Sequence, residues 1–241
     1  MENAITLDEA KVYADRDWAK LFNYKMQKEL LRWCVYSISL NDAAHNLGHV
    51  MDVCRLGQSM SEKLGLDERT TLLVGLGCLL HDIGCRYERS QHHLIGYGLA
   101  YELINRYWPD EFTDEEQLIV ATAVLEHRSS NRYKPSNLVA EIVSVADSGA
   151  PDFNKYVRRA VQYRLSKNME NDVLVEDVYK HMFEKFGAEG YHWKSYPDVG
   201  MELYREEWDE FTKHLYDEEY TTGVIKATYD ILGGGNGKQL T

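Results

Sequence analysis

Proline is scarce in this chain of 241 residues, and its four copies, Pro109, Pro135, Pro151 and Pro197, all fall between apolar-periodic stretches. No Asn-Gly or Asp-Gly pair joins two alternating apolar runs, so the strongest short-range hairpin signal is missing. Long hydrophobic runs are absent as well. The longest, Leu72 to Leu80, falls far short of the roughly 20 residues that a bilayer span requires, so no membrane partner is expected. The N-terminal segment has neither a basic n-region nor an apolar h-region, and a cytoplasmic location is the expectation. Cysteine occurs four times, at 34, 54, 78 and 85, with no CxxC spacing. Reduced, mostly buried thiols are expected, including Cys78 and Cys85, which flank the candidate site described below. Basic residues are outnumbered 27 to 39 by acids, for a formal net charge of −12. Such a balance argues against a nucleic-acid polymer as partner, since phosphate backbones require clustered Lys and Arg. No GxSxG elbow and no P-loop glycine pattern occurs.

What remains is helical periodicity. Apolar spacing predicts helices over 7–37, 42–64, 67–83, 90–107, 113–127, 137–148, 152–167, 173–187, 198–216 and 218–232. The fold class is all-α, with a helical bundle followed by a helical C-terminal extension. Four parts are expected: an N-terminal helix packing on the core over 1–40, the core over 41–170, the extension over 171–232 and a flexible Gly-rich tail over 233–241. The extension is rich in aromatic and acidic residues, read as rings packed inward and charges turned to water. His181, His192 and His214 fall in it without ligand-like order and are expected to be structural or exposed.

The chemistry concentrates earlier in the chain. Apolar residues at 72, 73, 76, 79 and 80 run up to His81-Asp82-Ile83-Gly84, with Gly84 expected as the helix-ending C′ residue. This puts Asp82 against the negative end of a helix dipole, where a carboxylate requires a nearby cation. A metal ion is the simplest such cation. Asp147 repeats the feature, ending the apolar run Ile142–Ala146 with Gly149 two residues on. His49, His92 and His127 also fall at predicted helix ends, so the order is His, His-Asp, His, His, Asp.

These residues resemble the HD superfamily of metal-dependent phosphohydrolases. His49, His81, Asp82 and Asp147 match its four defining positions, with Val50, Val53, Leu80 and Ile83-Gly84 fitting the usual flanks. His92, four residues before Gly96, and His127 match the further ligands of the two-metal branches; His93 is the rival to His92. The resemblance runs from about 43 to 150. It implies one or two divalent transition-metal ions (Mn, Fe, Co, Ni or Zn) held by mixed nitrogen and oxygen ligands, with Asp82 as bridge. It also implies a metal-activated water that attacks the phosphorus of a small phosphorylated metabolite, such as a nucleotide or pyrophosphate. Asp82 and His45 are the expected catalytic residues. His45, four before His49 and on the same face if both are helical, would orient a ligand or donate a proton. Arg86, Arg89, Arg128, Arg132 and Lys134 cluster in sequence beside the ligands and are candidates for a phosphate clamp.

Two other activities share the ligand order. The cyclic-dinucleotide phosphodiesterases of the superfamily carry a Gly-Tyr-Pro signature, where this chain has Arg132-Tyr133-Lys134-Pro135. The mixed-valent di-iron oxygenases similar to myo-inositol oxygenase use the same six ligands to oxidise a C–H bond, and the cationic loops favour phosphate over that substrate. A non-catalytic nucleotide-binding module would have lost ligands, and none is lost here. Oligomeric state is not legible in the sequence.

Overall fold

The computed structural model describes residues 4–22, 27–42, 45–129, 131, 133–169 and 171–233, and no strand occurs among them. The all-α class is borne out. The chain forms two compact units, one of Met1–Gly149 with Pro197–Leu203, the other of Ala150–Tyr196 with Tyr204–Thr241.

In the first unit, α1 (Leu7–Tyr13) runs through a π-helical stretch, Ala14–Trp18, into the short α2 (Ala19–Leu21), and α3 is Lys28–Ile38. The single helix expected over 7–37 is therefore two. Its break has a local cause: the Gln27 side chain accepts from the backbone N–H groups of Glu29 and Leu30 and so starts a new helix. Phe22 meanwhile packs over Gly75, where a Cβ would meet its ring at 3.1 Å. The helices that follow are α4 (Leu47–Lys63), α5 (Glu68–Leu80), α6 (His92–Tyr107), α7 (Asp114–Glu126) and α8 (Leu138–Ser148). Side-chain caps begin four of them: Asn46, Asp67, Thr113 and Asn137 each accept a backbone N–H of the first turn. α4 thus starts five residues later than its apolar pattern suggests, because Asn46 caps it.

α5 is the axis of this unit. Every residue from Leu73 to Leu80 is buried, and the helix packs against α4, α7 and α8. A helix apolar on all sides is one that neighbours surround. The glycines at 84 and 96 bring α6 close to this axis. A Cβ at Gly84 would lie 2.2 Å from the His92 carbonyl oxygen, and one at Gly96 would lie 2.7 Å from Val124 Cγ1. Gly84 is not in the left-handed region, so its purpose here is close approach rather than the C′ turn expected of it. Gly149, at φ 74°, does end α8 in that way.

The second unit contains α9 (Phe153–Leu165), α10 (Asn171–Phe186), a 3₁₀ turn over Tyr191–Lys194, α12 (Arg205–Tyr216) and α13 (Glu218–Gly233), while α11 (Asp198–Leu203) belongs to the first. The helix expected over 198–216 is split at Tyr204 (φ −123°, ψ 32°), where the chain passes from one unit to the other. The core here is aromatic. Phe186 meets Tyr156, His192 and Phe211 with ring centroids 4.8–4.9 Å apart. His192 is buried, and burial first, then Lys185 nearby, pushes its pKa down to about 3. His214 stacks on Tyr220. Both fit the structural reading, and burial likewise lowers the pKa of His181. Residues 234–241 of the Gly-rich tail lie outside the described residues.

Candidate metal centre

Helix ends supply the site. His81 and His127 are the C-cap residues of α5 and α7, where the last carbonyls lack intrahelical partners. Each imidazole turns back on its own helix: His81 Nδ1 lies 2.8 Å from the Cys78 oxygen and His127 Nδ1 2.7 Å from the Val124 oxygen. His92, the first residue of α6, turns instead to the segment before its helix, with Nδ1 2.7 Å from the Arg89 oxygen. A carbonyl only accepts, so Nδ1 carries the hydrogen in all three rings and, in the neutral form, Nε2 presents a lone pair. His49 stands in the first turn of α4 and Asp147 in the last turn of α8. Asp82 follows His81 in a turn, two residues past the end of α5 at Leu80 and so not in the last helical turn expected for it.

The ligand atoms fall into two groups, His49–His81–Asp147 and Asp82–His92–His127, each within 4.8 Å. Asp82 joins them. Its Oδ2 is 3.1 Å from His81 Nε2 and 3.5 Å from His49 Nε2, while Oδ1 is 3.4 Å from His92 Nε2 and 3.7 Å from His127 Nε2. In the first group, His49 Nε2 lies 3.2 Å from Asp147 Oδ1 and 3.3 Å from His81 Nε2. In the second, the Nε2 atoms of His92 and His127 face each other at 3.1 Å.

That geometry fits a cation. Ligands bonded at about 2.0–2.1 Å to one ion are spaced about 2.9–3.4 Å apart in octahedral or tetrahedral arrangement, close to the distances found. Asp82 Oδ2 is buried without a hydrogen bond despite the ring nitrogens beside it. Two imidazole lone pairs at 3.1 Å repel unless a proton or a metal lies between them, and a buried orphan carboxylate oxygen costs on the order of 1–3 kcal/mol or more. Five such groups around one buried carboxylate are costly to fold unless positive charge compensates them.

Protonation separates the two groups. Pairing with the carboxylates of Asp147 and then Asp82 pushes His49 up to about 9. For His81, burial opposes the charged ring, but Asp82 and Asp147 outweigh it and the pKa is raised. Burial lowers His127 to about 4, and the charge of His81 adds to this. Burial also lowers His92. Burial would raise Asp82 and Asp147, yet the imidazoles around them hold both below the usual carboxylate value.

The remaining predicted residues divide. His45 is not helical; it precedes the Asn46 cap, so the shared-face argument fails. Its ring still lies 6.1 Å from that of His49 and 6.3 Å from that of His92, with Nδ1 2.7 Å from Asp42 Oδ1. His93 is kept out of both groups: its Nδ1 meets Arg128 at 3.2 Å. Arg128 also donates to Ser90 O, and Arg86 to Ser37 Oγ at 2.9 Å; neither has a carboxylate partner among the described residues. Arg89 and Lys134 do, pairing with Asp42 at 3.0 Å and Asp198 at 2.5 Å. Arg132 lies outside the described residues. Asn41 escaped the sequence reading. It donates to the carbonyls of His45 (3.0 Å) and Asp82 (3.2 Å), tying the loop before α4 to the turn after α5. No local pattern marks an Asn in that role.

No helix of the described residues is long and apolar enough to cross a membrane. Residues 46–152 match the family model of the HD domain. No curated protein and no solved structure matches the chain. The matched segment holds both ligand groups, and HD domains bind divalent metals at such clusters of His and Asp. The segment 46–152 is an HD domain, a family made up mostly of metal-dependent phosphohydrolases.

Proposed function

We propose that the protein hydrolyses a phosphoester or phosphoanhydride of a small molecule, a nucleotide or a pyrophosphate, using two divalent transition-metal ions. The observation that carries this is the convergence of two ligand groups on one buried carboxylate, Asp82, with two arginines, Arg86 and Arg128, that pair with no carboxylate among the described residues. His49, His81 and Asp147 would hold one ion, His92 and His127 the other, with Asp82 between them. Such a pair supplies Lewis acidity and a nucleophilic water at neutral pH. The protein's part is to fix the donors. The carbonyls of Cys78, Arg89 and Val124 lock three tautomers, so that Nε2 is always the atom offered.

Substrate recognition falls to Arg128 and Arg86, whose guanidiniums are held by neutral partners and keep their full charge for an anion. Arg89 and Lys134 are neutralised by their carboxylates and contribute less. Two guanidiniums rather than a basic face fit a small phosphorylated molecule in a chain of net charge −12. His45, with Nδ1 fixed by Asp42, protonates the leaving oxygen. The test is elemental analysis of protein purified without added metal, paired with a phosphatase panel. Two metals per chain and phosphate release from a nucleotide or pyrophosphate are expected. Two irons per chain with no phosphate released from any compound would overturn the reading in favour of C–H oxidation.

A further inference from the structure

Cys85 and His45 take no part in either ligand group, yet both approach the same carboxylate. The Cys85 thiol, 9% exposed, donates to Asp82 Oδ1 at 3.4 Å. His45 is fixed from behind: Asp42 Oδ1 holds its Nδ1, and Asp42 Oδ2 lies 3.0 Å from Arg89 Nε. A carboxylate only accepts, so Nδ1 bears the hydrogen and Nε2 of the neutral ring is left to bind. Carboxylate, imidazole and cation in this order is the arrangement that orients metal-ligating histidines. Ligand atoms of His45, Asp82 and Cys85 lie within 4.8 Å of one another.

We propose that His45, Asp82 and Cys85 form a third cation site, selective for a thiophilic divalent ion such as Zn²⁺ or Cd²⁺, which switches the centre off when filled. Selectivity follows from the donors. The two groups described above offer only nitrogen and oxygen, whereas this one adds sulfur, which soft and borderline cations prefer over Mn²⁺ or Mg²⁺. On binding, the Cys85 S–H bond is exchanged for a sulfur–cation bond and the proton leaves to solvent. Tetrahedral ligands with a metal–sulfur bond of about 2.3 Å and metal–nitrogen bonds of about 2.0–2.1 Å stand about 3.4–3.6 Å apart. The His45 ring, in a loop and partly exposed, has only about an ångström to move. Inhibition follows from a shared atom. The oxygen that Cys85 faces, Asp82 Oδ1, is also the one offered to the His92–His127 ion, and His45 is the proposed proton donor.

The binding half of this proposal stands on geometry alone, while the inhibitory half rests on the hydrolase reading; the experiment separates them. Metal-free protein is loaded with two equivalents of Mn²⁺ and titrated with Cd²⁺, following the ultraviolet thiolate-to-cadmium charge-transfer band. Expected are a band that saturates at one equivalent, its loss in Cys85→Ser, and at least tenfold weaker Cd²⁺ binding in His45→Asn. The ¹¹³Cd resonance of the wild-type protein, shifted toward sulfur ligation, reports the same bond without any substitution. No band in the wild type, or an equal band in Cys85→Ser, overturns the site. For the switch, Zn²⁺ beyond two equivalents should inhibit phosphate release at least tenfold more strongly in the wild type than in Cys85→Ser, whose basal activity is unchanged. Equal inhibition of both proteins overturns the switch and leaves the site. Absence of any phosphate release overturns the hydrolase reading, with the cadmium result still deciding the site.

Discussion

Metal binding to the two ligand groups should differ in its proton count. At pH 7 His49, with a pKa of about 9, is protonated, and His81 is raised in the same direction. A cation entering this group must displace at least one proton, so its apparent affinity rises about tenfold per pH unit until His49 is neutral. Two units separate pH 7 from that pKa, which holds affinity about a hundredfold, or about 2.7 kcal/mol, below its limit. In the other group His127 is already neutral well below pH 7, at about 4, and His92 is lowered too. A cation there releases no imidazole proton. Because a cation in one group lowers the pKa of imidazoles in the other, each is best measured alone. His127→Ala keeps the first group and His49→Ala the second. Calorimetric titration with Mn²⁺ between pH 6.5 and 8, in buffers of different ionisation enthalpy, gives the proton count directly. The His127→Ala protein should gain about thirtyfold in affinity per displaced proton over this range, and His49→Ala should barely change. Equal slopes in the two variants, or no proton release by His127→Ala at pH 7, would refute the reasoning.

Other outcomes follow from the same geometry. The raised pKa of His49 stabilises the folded, metal-free protein fully below the unfolded value of about 6.5, and this contribution disappears as pH rises through 9. Allowing for solvent screening, about 2 kcal/mol is at stake, so the Tm of metal-free protein should fall by about 4–8 °C between pH 6.5 and 9.5 and stay level when Mn²⁺ is bound. Asp82→Asn keeps the shape but not the charge of the shared ligand; both metals should be lost by elemental analysis, with phosphate release abolished. Gly84→Ala drives a methyl group into the His92 carbonyl, 2.2 Å from the Cβ position. It should displace His92 and reduce bound metal from two to one while circular dichroism stays helical. Arg128→Met should lower kcat/KM for a phosphomonoester about ten- to a hundredfold through KM, with a smaller loss on a diester and no loss of metal.

Most of this architecture was legible because helices report themselves locally. Apolar spacing marked nearly every long helix of the first unit, and the same spacing ran out at His81, His127 and Asp147, where ligands stand. The misses have two causes: side-chain caps, which apolar spacing does not register, and partners distant in sequence. The break before α3 comes from Gln27 capping a new helix while Phe22 settles on Gly75, fifty-three residues away in the chain. The periodicity of 7–37 contains neither contact. His45 looked helical because nothing in its own pattern competes with helix, and the Asn46 cap decided otherwise. Of the five basic residues that stood alike in sequence, Arg89 and Lys134 turned to Asp42 and Asp198, a choice that only tertiary proximity makes.

The glycines show why the ligands could be found before the contacts that assemble them. A histidine at a helix end is visible because the helix stops there, and its Nδ1 partner is three residues back on the same helix for His81 and His127. Local sequence therefore fixes which nitrogen is offered. What it cannot state is the distance between helices, and here that distance is set by absent side chains. Gly84 lets the His92 backbone pass where any Cβ would collide, and Gly96 does the same against Val124 on α7. A shift of α6 by about one ångström would carry His92 Nε2 beyond common ligation range of His127 and Asp82, which it now meets at 3.1 and 3.4 Å. The chemistry is thus written in His and Asp, while the assembly of the second ligand group depends on glycines that carry none.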